Sequence, residues 1–237
     1  MKMKVGTVSE IARYPVKSFA GERLQVGRVE PYGLQGDRVG AFYDTAKTGW
    51  SRFITARQIP GLLAYQAAYR DGDIRVTAAD GQTFGWDNQL LEHVQRHTST
   101  PISMSRLYAP HPEDEKLMSV DEASLLLITD AGLKKLEAAY GKPLDPLRFR
   151  GNLIIALDDD RMNEGDWIGR MIEVGEIMLR VDSSCQRCTM ITIDPQTLDK
   201  DASLLRTVHE RLDLQFGVYA SVIRTGQVRL GDPVNVL

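Results

Sequence analysis

Both cysteines of the chain fall in one short stretch, Val181-Asp-Ser-Ser-Cys185-Gln-Arg-Cys188-Thr189, with Gln186 and Arg187 between them. A thiolate is the soft ligand that transition metals favour, and a neighbouring guanidinium favours the charged form of a thiol. The pair is therefore compatible with a metal ligand, a redox dithiol, or half of a zinc site completed by His93 and His97, four residues apart. A redox dithiol wants a βαβ setting, and no such pattern surrounds these cysteines. The two histidines sit beside Gln95 and Arg96, where a solvated helix face is the simpler expectation. Cys185 by itself reads as a small buried hydrophobe.

A second group of residues could hold an anion. Basic side chains stand next to small polar ones in Tyr14-Pro-Val-Lys17-Ser18, Gly36-Asp-Arg38, Thr55-Ala-Arg57-Gln58 and Arg148-Phe-Arg150-Gly-Asn152. Any one of these is most simply a solvated loop. Their recurrence beside Gly, Ser, Asn and Pro suggests Lys and Arg combined with backbone donors around one ligand. Arg57 is the weakest member on spacing alone.

The elements that must position these residues are short and rich in β-branched and aromatic side chains. Strands are predicted over 5–11, 23–29, 39–43 and 62–69, with a hairpin of 74–78 and 83–86 turning at Ala79-Asp-Gly81. Further strands are predicted over 153–157, 172–181, 190–193, 217–224 and 228–237, and 125–128 is an apolar run leading into a helix. Helices are predicted over 87–97, capped by Asp87; over 130–140, capped by Asp130 and stopped by Gly141; and over 202–212. The polar segment 108–116, with two prolines, is the best boundary, dividing the chain into 1–118 and 119–237. Many short strands outside βαβ alternation predict a mainly β (α+β) fold: a barrel, an associated N-terminal β-rich domain and peripheral helices. Trp50, Trp86 and Trp167 are expected in cores, and Asp158-Asp-Asp160 in a solvated turn.

Composition sets the outer limits. A chain of 237 residues suits one large domain or two intimate ones. Hydrophobic content of 43% with 26% charge is ordinary for a globular protein. A net charge of -3 leaves no global basic field for nucleic acid or an anionic membrane. No apolar run approaches the roughly 20 residues of a membrane helix, and the first residues lack a signal-peptide core. Two adjacent cysteines without a disulfide framework make a reducing cytoplasm the expected location.

The basic motifs above, with Cys185-Gln-Arg-Cys188, Thr192-Ile-Asp-Pro195, Phe216-Gly-Val-Tyr219 and Gly231-Asp-Pro-Val234, occur in the order found in MOSC-domain proteins that carry the associated N-terminal β-barrel domain. The resemblance spans residues 5–237 and is closest to the mitochondrial amidoxime reducing component and its bacterial relatives. Kinship with a pyridoxal-phosphate-binding fold is a further expectation attached to the family. The resemblance implies a molybdenum–molybdopterin cofactor, with Cys188 as the metal ligand. It implies cofactor contacts from Lys17, Ser18, Arg38, Arg150, Asn152, Gln186, Arg187 and Tyr219, and an acidic residue near the metal at Asp166. Animal members have serine where this chain has Gln186.

The activity so implied is reduction of small N-hydroxylated compounds such as amidoximes and hydroxylamines. The alternative is a cofactor carrier or sulfur-transfer module. The sequence has neither a G-x-G-x-x-G fingerprint nor a cysteine cluster for iron–sulfur binding. A reductase would therefore need a separate electron donor of flavoprotein, ferredoxin or cytochrome type.

Overall fold

A computed structural model describes residues 2–159 and 161–237. Seven strands close into a barrel: Met3–Arg13 (β1), Leu125–Thr129 (β2), Leu153–Leu157 (β3), Met171–Val174 (β4), Ile177–Gln186 (β5), Gln215–Arg224 (β6) and Pro233–Val236 (β7). Around the ring the order is β3-β2-β6-β5-β4-β7-β1, and β1 pairs back onto β3. Only β2 and β3 run parallel, as the crossover through the helix Asp130–Tyr140 requires. Inward residues alternate along β5, where Ile177, Leu179 and Val181 are buried between the outward Met178 and Arg180. Every residue of β2 is buried, because the inner face meets the barrel core and Ile128 packs outward into a second cluster with Leu136 and Leu204.

The strand that closes the barrel comes from the opposite end of the sequence. β1 is hydrogen-bonded to β3 and β7, while Gly226–Arg229 leaves the barrel to pair with Val26–Glu30. Val5, Val8, Ile11, Val29 and Leu34 therefore share one core with β2 to β7. Residues 16 to 104 build a separate core in which the Phe19 ring stacks on Phe42 and Tyr65, and Leu90 and Val94 of the helix Asn88–Gln95 close one side.

Several boundaries differ from those predicted. The run 172–181 is two strands, β4 and β5, because Gly175 takes a left-handed turn at φ 54°. The run 228–237 breaks at the turn 230–232 into two strands belonging to different sheets. Residues 60–64 form a 3₁₀ turn led by Pro60, and residues 189–192 form another, so neither is strand. The cap of the helix Asp130–Tyr140 is Thr129, whose Oγ1 accepts from the Gly132 amide at 3.0 Å. Asp130 is already helical and accepts from the Leu157 amide.

Of the acidic run, Asp158 pairs with Lys4 and Asp159 with Arg161; Asp160 lies outside the described residues. Trp86 and Trp167 are core residues, but Trp50 is 36% exposed. Among the described residues no helix is long and apolar enough to cross a membrane.

The seam between β1 and β3 leaves no room for a side chain at Gly6, where a Cβ would lie 2.1 Å from the Ala156 carbonyl oxygen. Gly6→Ala should lower the midpoint of urea unfolding by an amount equivalent to about 1–3 kcal/mol, the usual cost of overpacking.

Candidate functional site

β1 ends at Arg13, and the next five residues cross from the barrel to the second core, tied there by a bridge between Val16 and Gly40. This crossing brings Lys17 and Ser18 against loops from both halves of the sequence. The result is a cleft of roughly 810 Å³, counting its open mouth. Lys17, Ser18, Arg38, Arg150, Asn152, Gln186, Arg187, Cys188 and Tyr219 all line it, as do Arg57, Asp121, Arg148 and Cys185. Six cations thus face one space.

Three of the six have carboxylate partners: Lys17 with Asp121, Arg38 with Asp37, and Arg148 with Asp194. Arg57, Arg150 and Arg187 have none among the described residues. Arg150 donates Nη1 to the Phe19 carbonyl at 2.7 Å, and its buried Nη2 has no partner. Burial, reinforced by the nearby Arg38, pushes the Arg150 guanidinium down to about 10. Arg187 donates Nε to the Phe216 carbonyl at 2.7 Å and Nη1 to the Phe149 carbonyl at 2.8 Å, and again the buried Nη2 is unpaired. Gly217 makes room for it: a Cβ there would lie 3.2 Å from that Nη2. An unpaired buried donor carries its full desolvation cost. Such a donor set fits an anionic ligand rich in acceptors, as a molybdopterin phosphate and pterin edge would be.

Backbone strain gathers at the same residues. Ser18, Arg38 and Arg150 are non-glycine residues at φ 69°, 48° and 57°. Arg38 and Arg150 lie over one Tyr14 ring, 4.7 and 4.3 Å from its centroid. Asn152 is fully engaged with protein at its oxygen, which accepts from the Leu126 amide and from Arg38, while Nδ2 donates to the Ala12 carbonyl. It holds the end of β1, β2 and Arg38 together.

The two thiols differ. Cys185 is buried within β5, and burial pushes its thiol up; beside it, burial and the same thiol push the Tyr219 phenol well above its ordinary range. Cys188 follows the strand, is exposed to the cleft, and has Arg57 Nη1 3.8 Å from its Sγ. Gln186 is exposed between them. His93 is half-buried on Tyr65, 2.8 Å from the phenol oxygen, so the helix face expected to be solvated is partly packed. Among the described residues no set of three His, Cys, Asp or Glu side chains could hold a metal, so the Cys₂His₂ arrangement does not form.

Asp166 is not at the cleft. It is an exposed residue of the 3₁₀ turn Glu164–Trp167, where its carboxylate accepts from the Asn163 amide in a capping box. The turn needs an acceptor at that position, which is why an acidic residue precedes the tryptophan. The acidic group lining the cleft among the described residues is Asp121, four residues before β2. Its side chain is 65% exposed although protein surrounds the crevice it occupies. Burial pushes its pKa up, but Lys17, Arg38 and Arg57 outweigh that and hold the carboxyl at about 2. Burial lowers the Lys17 ammonium despite Asp121.

Residues 114–235 match the MOSC domain, and residues 5–116 match the MOSC N-terminal beta barrel domain. The chain belongs to the MOSC family. It is 26% identical over 283 residues to "Mitochondrial amidoxime reducing component 2" of Homo sapiens, covering 98% of this chain and 83% of that protein. It is 38% identical over 123 residues to "Molybdenum cofactor sulfurase" of Bombyx mori, covering 48% of this chain but only 15% of that much longer relative. Among solved structures, the YUAD protein from Bacillus subtilis superposes with a TM-score of 0.55 at 12% identity, over 100% of this chain and 97% of that one, a likeness of fold. The family is one associated with the molybdenum cofactor, and the expected kinship with a pyridoxal-phosphate fold finds no support in these matches.

Exposure and acidity together predict selective alkylation. Iodoacetamide near pH 8 should label Cys188 and leave Cys185 unmodified in the folded protein, read by peptide mass spectrometry; equal labelling would contradict the burial of Cys185. Asp121 predicts a pH dependence. Its carboxyl is depressed from 3.8 to about 2 in the fold, so it stabilises above the ordinary value and that contribution is lost as pH falls between the two. In Asp121→Asn the drop in unfolding free energy between pH 5 and pH 2.5 should be smaller than in the natural protein.

Proposed function

We propose that the chain binds a molybdenum–molybdopterin cofactor in this cleft and reduces N-hydroxylated compounds, amidoximes and hydroxylamines, with electrons from a separate flavoprotein, ferredoxin or cytochrome-type donor. The observation that carries this reading is the set of three carboxylate-free guanidinium groups, two with orphaned N–H donors, around one solvent-open thiol. Bound there, the cofactor would supply two-electron oxygen-atom chemistry that protein side chains lack.

Cys188 would provide the thiolate for the metal. Cys185, buried and kept protonated, would not compete for it. Arg150 and Arg187 would give their free N–H groups to phosphate and pterin oxygens, and Lys17 and Arg38 would add charge. Ser18 and Gln186 would contribute neutral hydrogen bonds, and Tyr219 an apolar face with one polar tip. Asn152 would act through Arg38, which it orients. Asp121 is ionised at neutral pH, so it would accept a substrate N–H, leaving water as the proton source. Residues of both 1–118 and 119–237 would then contact the cofactor.

A second reading, a cofactor carrier or sulfur-transfer module, is favoured by the exposure of Cys188, which an acceptor protein could reach directly. Turnover separates the two. Protein loaded with cofactor in a competent host should convert benzamidoxime to benzamidine with reduced viologen dye, and should not with NADH alone. Cys188→Ser should abolish this activity while Cys185→Ser retains most of it, and Arg150→Ala should lower pterin occupancy. Absence of turnover at confirmed molybdenum occupancy would favour the carrier.

A further inference from the structure

The mouth of the cleft continues into a vestibule lined by Lys17, Trp50, Phe53, Thr55, Arg57 and Asp121, open over roughly 680 Å³. Its floor is the positively charged cleft, but its rim is aromatic. Phe53 is buried, with Lys17 Nζ 5.0 Å and the Arg52 guanidinium 5.4 Å from its ring centroid, so its faces are already in use. Trp50 also has Lys17 Nζ 5.7 Å from its ring centroid and Phe53 tilted against it at 5.8 Å, yet it lines the vestibule and stays 36% exposed.

The indole is also fixed in place. Trp50 Nε1 donates to Glu113 Oε1 at 2.6 Å, and the His111 ring meets it edge-on at 4.6 Å and 86°. His111 is itself anchored, since Nδ1 accepts from the backbone amides of Glu113 and Asp114. An exposed tryptophan held this way costs little further ordering when a flat group stacks on it. Across the same opening, Arg57 reaches from Thr55 Oγ1, 3.4 Å from its Nε, to Cys188 Sγ. Arg57 therefore lines the same vestibule as Trp50 and reaches the thiol, with guanidinium N–H groups left over.

We infer that Trp50 and Arg57 form a substrate subsite selecting aryl-bearing N-hydroxylated compounds: the aryl ring stacks on the Trp50 indole while Arg57 donates a hydrogen bond to the hydroxyl oxygen next to the Cys188 side. Trp50 is then a specificity residue and Arg57 a positioning residue. The inference deepens the reductase reading and rests on it for turnover, but not for binding.

The test compares benzamidoxime with acetamidoxime, which has the same reacting group and no ring. In cofactor-loaded protein with a dye donor, Trp50→Ala should raise the ratio of KM for benzamidoxime to KM for acetamidoxime about 3- to 10-fold, the range of one aromatic contact, and Trp50→Phe should restore most of it. Arg57→Lys should instead raise KM for both substrates together. Saturation-transfer NMR on the same protein without reductant should give signal on the benzamidoxime ring protons that Trp50→Ala removes. An unchanged KM ratio, or saturation transfer indifferent to Trp50, overturns the subsite. Saturation transfer that depends on Trp50 without any turnover of either substrate upholds the subsite and overturns the reductase reading.

Discussion

Two guanidinium groups, from Arg38 and Arg150, share the ring of Tyr14, and this stack joins the parts of the molecule that make the site. Tyr14 directly follows the strand that closes the barrel, Arg38 belongs to the second core's loops, and Arg150 leads into β3. Asp37 accepts from the Tyr14 amide and pairs with Arg38, so the same carboxylate fixes the ring and one of its cations. Burial disfavours the charged guanidinium and the neighbouring Arg38 repels it; the lowered pKa of Arg150 records both. Three residues in left-handed backbone conformations add to that cost. An anion bound between these groups would relieve it.

The same electrostatic logic distinguishes paired from unpaired cations. Lys17, Arg38 and Arg148 are neutralised by Asp121, Asp37 and Asp194, which makes them stable without ligand. Arg57, Arg150 and Arg187, which line the same cleft, lack such partners among the described residues. The barrel contributes position more than charge: β5 buries Cys185 in the cleft wall and ends so that Cys188 emerges at the opening, and β6 supplies the Phe216 carbonyl that orients Arg187.

Much of this was legible in the chain. The β-rich character, the helix Ala202–Leu212, the hairpin at Asp80-Gly81 and the burial of Cys185 follow from local pattern, because strand periodicity, turn chemistry and thiol packing are properties of neighbouring residues; the part given to Cys188 rests on the family resemblance. The basic motifs could be listed from sequence, and so could the suspicion that they share a ligand.

What only tertiary structure decided is which residues meet. β1 closes a barrel whose other strands begin more than a hundred residues later, and no local signal encodes that pairing. Asp166 sits beside a tryptophan as an acid near the metal was expected to, yet it caps a turn; Asp121, unremarked in sequence, is the carboxylate facing Lys17. Arg57 is the weakest member on spacing and is the one cation touching Cys188 among the described residues. The physical reason is common to all three. Electrostatic partners and cavity walls are set by distance in space, whereas sequence reports only what lies within a turn or two along the chain.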